Sequence, residues 1–70
     1  MKRYRITEIG TPTTETFRAR NDRDARIAAG FWATLDVGDE KKGVEISVSV
    51  VEINDNGEPI GNIHYEKAIR

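Results

Sequence analysis

The spacing of apolar positions changes character around the middle of the chain. From Asn21 to Leu35 they recur at helical spacing, whereas the segments on either side alternate with the two-residue period of strands. At about 100° per residue, Ile27, Phe31 and Leu35 stack along one line with Ala25, Ala28 and Trp32 beside them, and Arg23, Arg26 and Gly30 fall opposite. This predicts one amphipathic helix that lays the line through Ile27, Phe31 and Leu35 on a sheet. Asn21 is a good N-cap; Asp24 stands in for the Glu or Gln of a capping box, and Asp22 adds negative charge to the first turn. Gly30 costs about 1 kcal/mol relative to alanine inside a helix. Either the helix tolerates that cost or it ends early, at Ala29.

The flanking segments read as four strands. Arg3 to Ile9 alternates with Tyr4 and Ile6 inward and Arg3, Arg5 and Thr7 outward. A Gly10-Thr11-Pro12-Thr13 turn leads to Glu15 to Arg20, with Phe17 and Ala19 inward and Thr16, Arg18 and Arg20 outward. After the helix, the glycine-rich and charged run from Asp36 to Gly43 is a connecting loop. In the third strand, Val44 to Ile53, the residues Val44, Ile46, Val48 and Val50 alternate with Glu45, Ser47 and Ser49. Val51 and Ile53 then break the phase, which a bulge near Val50 and Val51, or burial of both faces, would explain. Asn56-Gly57 predicts a hairpin into the fourth strand, Ile60 to Ile69. There Ile63, Tyr65 and Ile69 share the inward phase, with Asn62, His64, Glu66 and Ala68 outward. Lys67, on the apolar phase, is expected to keep its charge in water beyond the core's edge.

The resulting order is β-β-α-β-β, a single α+β domain over residues 1–70 with one helix on a four-stranded antiparallel sheet. Strand order 2-1-3-4 makes every neighbouring pair antiparallel and carries the helix across one face over the first strand. The expected core is Tyr4, Ile6, Phe17, Ala28, Phe31, Leu35, Ile46, Val48, Val50, Ile63 and Tyr65, with Trp32 at its edge.

Composition narrows the function classes. Seventy residues hold one small core; without cysteine there is no disulfide framework and no thiolate metal site, so a cytoplasmic setting is expected. The opening MKRYRITEIG has no apolar run after its basic residues, so neither a signal peptide nor a membrane span is expected. Residues 1–30 hold seven Lys and Arg against four Asp and Glu, and residues 31–70 four against eight, so +3 and −4 make up the net −1. A bipolar surface follows.

No enzyme motif emerges, and no cofactor is expected. The serines Ser47 and Ser49 sit on a strand, and His64, the one histidine, reads as a solvated residue on an outward face. A calcium loop starting at Glu52 would need a carboxylate where Ile63 stands, so it fails. Asp36, Asp39 and Glu40 form a short acidic loop of the ordinary solvated kind, and Gly38 and Gly43 lack the helix start that a phosphate loop requires. No metal is expected. Arg3, Arg5, Arg18 and Arg20, all on the outward face of the first hairpin, would cluster four guanidiniums able to hold phosphates or carboxylates. That face offers no aromatic residue for base stacking, and Glu45 and Glu66 on it would repel a nucleic-acid backbone. Pairing of these arginines with Glu8, Glu15 and later carboxylates is the alternative use.

The run K-R-Y-R-I-T-E-I, a threonine-rich turn, E-T-F-R-A-R and N-D-R-D-A-R-I-A-A resembles small phage and mobile-element proteins of the type I anti-CRISPR kind, over residues 3–29. The resemblance implies a short first strand, a second ending in alanine and a helix opening on a D-A-x-x-x-A run. It implies protein binding through surfaces that differ between members, so no site residue transfers by position. The expected function is therefore a non-enzymatic binding protein that docks on a larger macromolecular complex, as an inhibitor of a CRISPR-type defence complex. Arg3, Arg5, Arg18 and Arg20 would dock on carboxylates, and Glu45, Glu52 and Glu66 would occupy a basic channel. Direct nucleic-acid binding through the arginine hairpin is the alternative. A homodimer is a further expectation, with Trp32, Val51 or Ile53 completing their burial in it.

Overall fold

The structure, a computed structural model, describes residues 1–34 and 43–69. Over these the chain forms β1 (Lys2–Glu8), β2 (Thr14–Ala19), α1 (Asp22–Thr34), β3 (Glu45–Ile53) and β4 (Pro59–Ile69). The strands make one sheet in the order β2-β1-β3-β4, with every neighbouring pair antiparallel. This is the predicted small α+β domain. Asn21 caps α1 as predicted, its side-chain oxygen accepting the Asp24 N–H at 2.8 Å. The Asp24 carboxylate goes to Arg20 Nε instead, at 2.8 Å. The helix runs through Gly30 to Thr34, so it tolerates the glycine.

The β3–β4 hairpin is closed by three loop residues. Gly57 N–H donates to the Asn54 carbonyl and Asn54 N–H to the Glu58 carbonyl, both at 2.9 Å, while the Asn54 side-chain oxygen accepts from Asn56 and Glu58 N–H. Gly57 takes φ of 80° and Asn56 does not, which is a three-residue loop with glycine in the left-handed position and not a two-residue Asn-Gly turn. Further along, Val50 pairs with His64 but Glu52 with Ile60, so β4 uses Gly61, Asn62 and Ile63 where β3 uses Val51 alone. Gly61, at φ 82°, supplies the conformation for the extra residues. The expected irregularity is present, but its extra residues lie in β4. β3 keeps its alternation, with Val50 toward the helix, Val51 and Ile53 on the open face, and all three buried. Arg5, opposite Val51, reaches past Ile53 to donate to the Gly57 carbonyl at 3.2 Å, so its stem shields this end of the open face.

The helix is rotated from the expected orientation. Ala25, Ala29 and Ala33 are the buried residues of α1, at most 1% exposed, whereas Ile27 and Phe31 are 63% and 69% exposed and Ala28 is exposed too. The line of contact lies roughly 160° round the helix from the line through Ile27, Phe31 and Leu35. Polar contacts on both flanks pin this rotation. Asp22 accepts from the Tyr4 hydroxyl at 2.7 Å and Arg26 Nε donates to Glu66 at 2.6 Å on the β4 flank, while Trp32 Nε1 donates to Glu15 at 3.2 Å on the β2 flank. Alanines at i, i+4 and i+8 let the helix backbone settle closely onto the Val and Ile side chains of β3. α1 lies mainly over β3 and β4, and not over β1 as expected.

The phase of β4 is likewise reversed. His64, Glu66 and Ala68, opposite Val50, Val48 and Ile46, face the helix, and Ile63 and Tyr65 are 52% and 62% exposed. The core is thus Tyr4, Ile6, Ala19, Ile46, Val48 and Val50 with the three alanines of α1, and Phe17, Trp32 and Ala68 at its margin. Tyr4 and Phe17, partners across β1 and β2, stack with ring centroids 5.8 Å apart. Of the expected core, Leu35 lies outside the described residues. So does the acidic loop of Asp36, Asp39 and Glu40. No helix among the described residues is long and apolar enough to cross a membrane.

Candidate partner-binding face

The register places the open face of the sheet in rows. Arg18, Arg3 and Ile53 form one row, Thr16, Arg5 and Val51 the next, then Thr14, Thr7, Ser49 and Tyr65; Ser47 and Lys67, and Glu45 and Ile69, complete it. Small hydroxyl residues occupy the middle, and Thr7 and Thr14 hydroxyls meet at 3.3 Å. Guanidiniums gather at one corner. Arg3 and Arg18 are direct cross-strand partners, and neither has an ion pair among the described residues. Arg5 is on the next row, with the Gly57 carbonyl as its hydrogen-bond acceptor. Arg20 leaves the group, turning to Asp24 on the helix. Glu8, expected as a partner for these arginines, is buried on the helix-facing row with Tyr4 and Ile6.

The acidic residues do not gather. Glu45 stays on the open face, 3.9 Å from Lys67 Nζ. Glu52, opposite Tyr4, lies 3.8 Å from Lys2 Nζ, and Glu66 belongs to Arg26 on the helix side. Each carboxylate therefore has a base beside it. Glu66 is absent from the arginine face, and Tyr65 is present on it, which reverses two expectations about how that face would treat a nucleic acid.

On the other side of the sheet, Tyr4, Asp22 and His64 form a polar clasp between β1, α1 and β4. Asp22 Oδ1 accepts the Tyr4 hydroxyl and its Oδ2 lies 3.1 Å from His64 Nε2. The hydrogen bonds from Tyr4 and His64 hold the Asp22 carboxyl below its ordinary range, and burial with the Asp22 hydrogen bond pushes the Tyr4 hydroxyl well above its own. His64 is thus not the outward, solvated residue expected. The described residues hold no group of three or more His, Cys, Asp or Glu side chains placed for a metal ion. Apolar alternation along β4 conceals the clasp and the Arg26–Glu66 pair, because it favours the phase opposite to the one that pairing with β3 adopts. Gly61, an isolated glycine inside a strand, was the signal that the phase could change there.

Compared with protein-family models, curated proteins and solved structures, the chain matches none. The site therefore rests on its own geometry. The Arg3–Arg18 pair, which shares its corner with Ile53 and Ile60 and also with Glu52 and Asp55, can hold oxyanions by charge and by forked hydrogen bonds while apolar side chains pack nearby.

Proposed function

We propose that the protein is a non-enzymatic binding protein that docks the open face of its sheet on an acidic surface of a larger macromolecular complex. The observation that carries this reading is the Arg3–Arg18 pair, set directly opposite across β1 and β2 with no carboxylate partner among the described residues. Like charges directly opposite cost folding stability, and an anionic partner surface offsets that cost. Arginine is among the residues enriched in protein interfaces, and Ile53 and Ile60 give the pair an apolar border. Glu45, Glu52 and Glu66 each have a neighbouring base, so the arginine corner leads the docking and the carboxylates play the lesser part. The choice of a CRISPR-type defence complex as the target, with the protein as its inhibitor, rests on the resemblance over residues 3–29.

The second reading, direct binding of nucleic acid, uses the same guanidiniums and draws support from Tyr65 on that face as a stacking platform. Partner identity separates the two. Nuclease-treated host lysate passed over the immobilised protein is expected to yield a defined protein complex with saturable binding, lost when Arg3 and Arg18 are changed to glutamate. The purified protein is expected to bind DNA and RNA negligibly at physiological salt. Tight nucleic-acid binding that disappears in the same double variant would reverse the ranking.

A further inference from the structure

Apolar side chains left exposed by the fold converge on one edge of the molecule. β4 is an edge strand of eleven residues, and β2, the opposite edge, has six. On the helix side of β4, Ile27 and Phe31 top the rim of an open groove of about 480 Å³ that His64 and Glu66 also line, and Phe31 borders the β2 side with Phe17 and Trp32 as well. Across the sheet stand Ile63, Tyr65 and Ile69, all more than half exposed. An occupant resting on one face of the sheet covers only half of these. An occupant that continues the sheet covers both.

We propose that this occupant is a second copy of the chain, joined by antiparallel pairing of β4 with β4 about a dyad perpendicular to the sheet. From His64 to Ile69 the strand keeps an unbroken register with β3, so its outer edge offers a regular row of N–H and C=O groups. The dyad also sets the helices at a packing distance. Strands lie about 4.8 Å apart, and α1 sits over β3 and β4, so each helix axis stands about 5 Å from the dyad and the two stand about 10 Å apart, the upper end of ordinary helix packing. The flank that each helix turns to its mate carries Arg23, Ile27 and Gly30, and a Cβ at Gly30 would meet nothing within 4 Å. The groove is self-complementary in charge. It holds Asp22 and Glu66 with Arg23 and Arg26, and Arg23 has no ion pair within its own chain among the described residues. On the open face, a dyad at Lys67 sets Tyr65 against the partner's Ile69, with each Lys67 beside its own Glu45. Val51 and Ile53 are already buried within the chain and take no part in this contact. The eight-stranded sheet would carry an arginine corner at each end of one continuous open face, a bivalent docking surface.

Sedimentation equilibrium across a wide concentration range tests the proposal. The wild type is expected to pass from monomer to dimer, and Ile27→Glu and Tyr65→Glu, on opposite faces of the sheet, each to weaken association by at least roughly tenfold with circular dichroism unchanged in the dilute monomer. Hydrogen exchange is expected to show protection of amides between His64 and Ile69 that grows with concentration. A wild type that stays monomeric, a dimer unaffected by both variants, or concentration-dependent protection in β2 in place of β4 would each overturn the proposal.

Discussion

The two sides of α1 differ in a way that average hydrophobicity misranks. The side on the sheet is made of Ala25, Ala29 and Ala33, and the side in water displays Ile27 and Phe31, the larger apolar residues. A helix on a sheet is held where its backbone approaches closest, and small side chains allow that approach. Large ones set there would lift the helix from β3 and break the Asp22, Arg26 and Trp32 contacts that pin its rotation. The lesson is that the widest apolar residues of an amphipathic helix do not mark its buried line when a row of alanines competes with them.

Ala29→Leu gives the most severe test of that comparison. With Ala29 wholly buried, the added methylenes should destabilise the fold by about 1–3 kcal/mol, or more if the helix cannot lift, as read by denaturant unfolding. The matching change on the other side, Phe31→Ala in the dilute monomer, should move stability by no more than about 0.5 kcal/mol. Equal losses from the two changes would mean that α1 is rotated otherwise than described.

Tyr4→Phe should cost about 1 kcal/mol, because it removes the hydroxyl that bonds to Asp22 while keeping the buried ring. The same clasp fixes two limbs of a pH profile. Asp22 is held below its ordinary value of 3.8, so its contribution is complete above that pH and is lost as the pH falls through the lowered value. Tyr4 is raised, so its contribution is complete below the ordinary tyrosine range near 10 and declines as the pH rises beyond it. Melting temperature followed into acid should fall less steeply in Asp22→Asn than in the wild type. An unchanged acid limb would remove the clasp from the account of stability.

Gly30→Ala sharpens the comparison from the solvent side. The new methyl meets nothing within 4 Å, so the dilute monomer should gain up to about 1 kcal/mol from helix propensity alone. A loss would show that the glycine serves a contact within the chain.

Strand order, the hairpins, the N-cap and the β1 and β3 core were legible because each depends on short-range pattern. Alternation over Tyr4 and Ile6 and over Ile46, Val48 and Val50 survives folding, since strands with one clean apolar row have a single way to bury it. The arginines on β1 and β2 were legible as a face for the same reason, although Arg20 was drawn away by Asp24, four residues on. What tertiary structure alone decided lies where two local answers were nearly equal. Apolar residues cover most of the circumference of α1, so its rotation was left to the fit of Ala25, Ala29 and Ala33 on the sheet and to polar contacts of Asp22, Arg26 and Trp32 with distant residues. β4 carries apolar residues on one phase and His64, Glu66 and Ala68 on the other. Gly61 allowed the strand to bulge, the pairing with β3 chose the phase, and partners on α1 could satisfy His64 and Glu66 beneath the helix while Tyr65 and Ile63 remained in water.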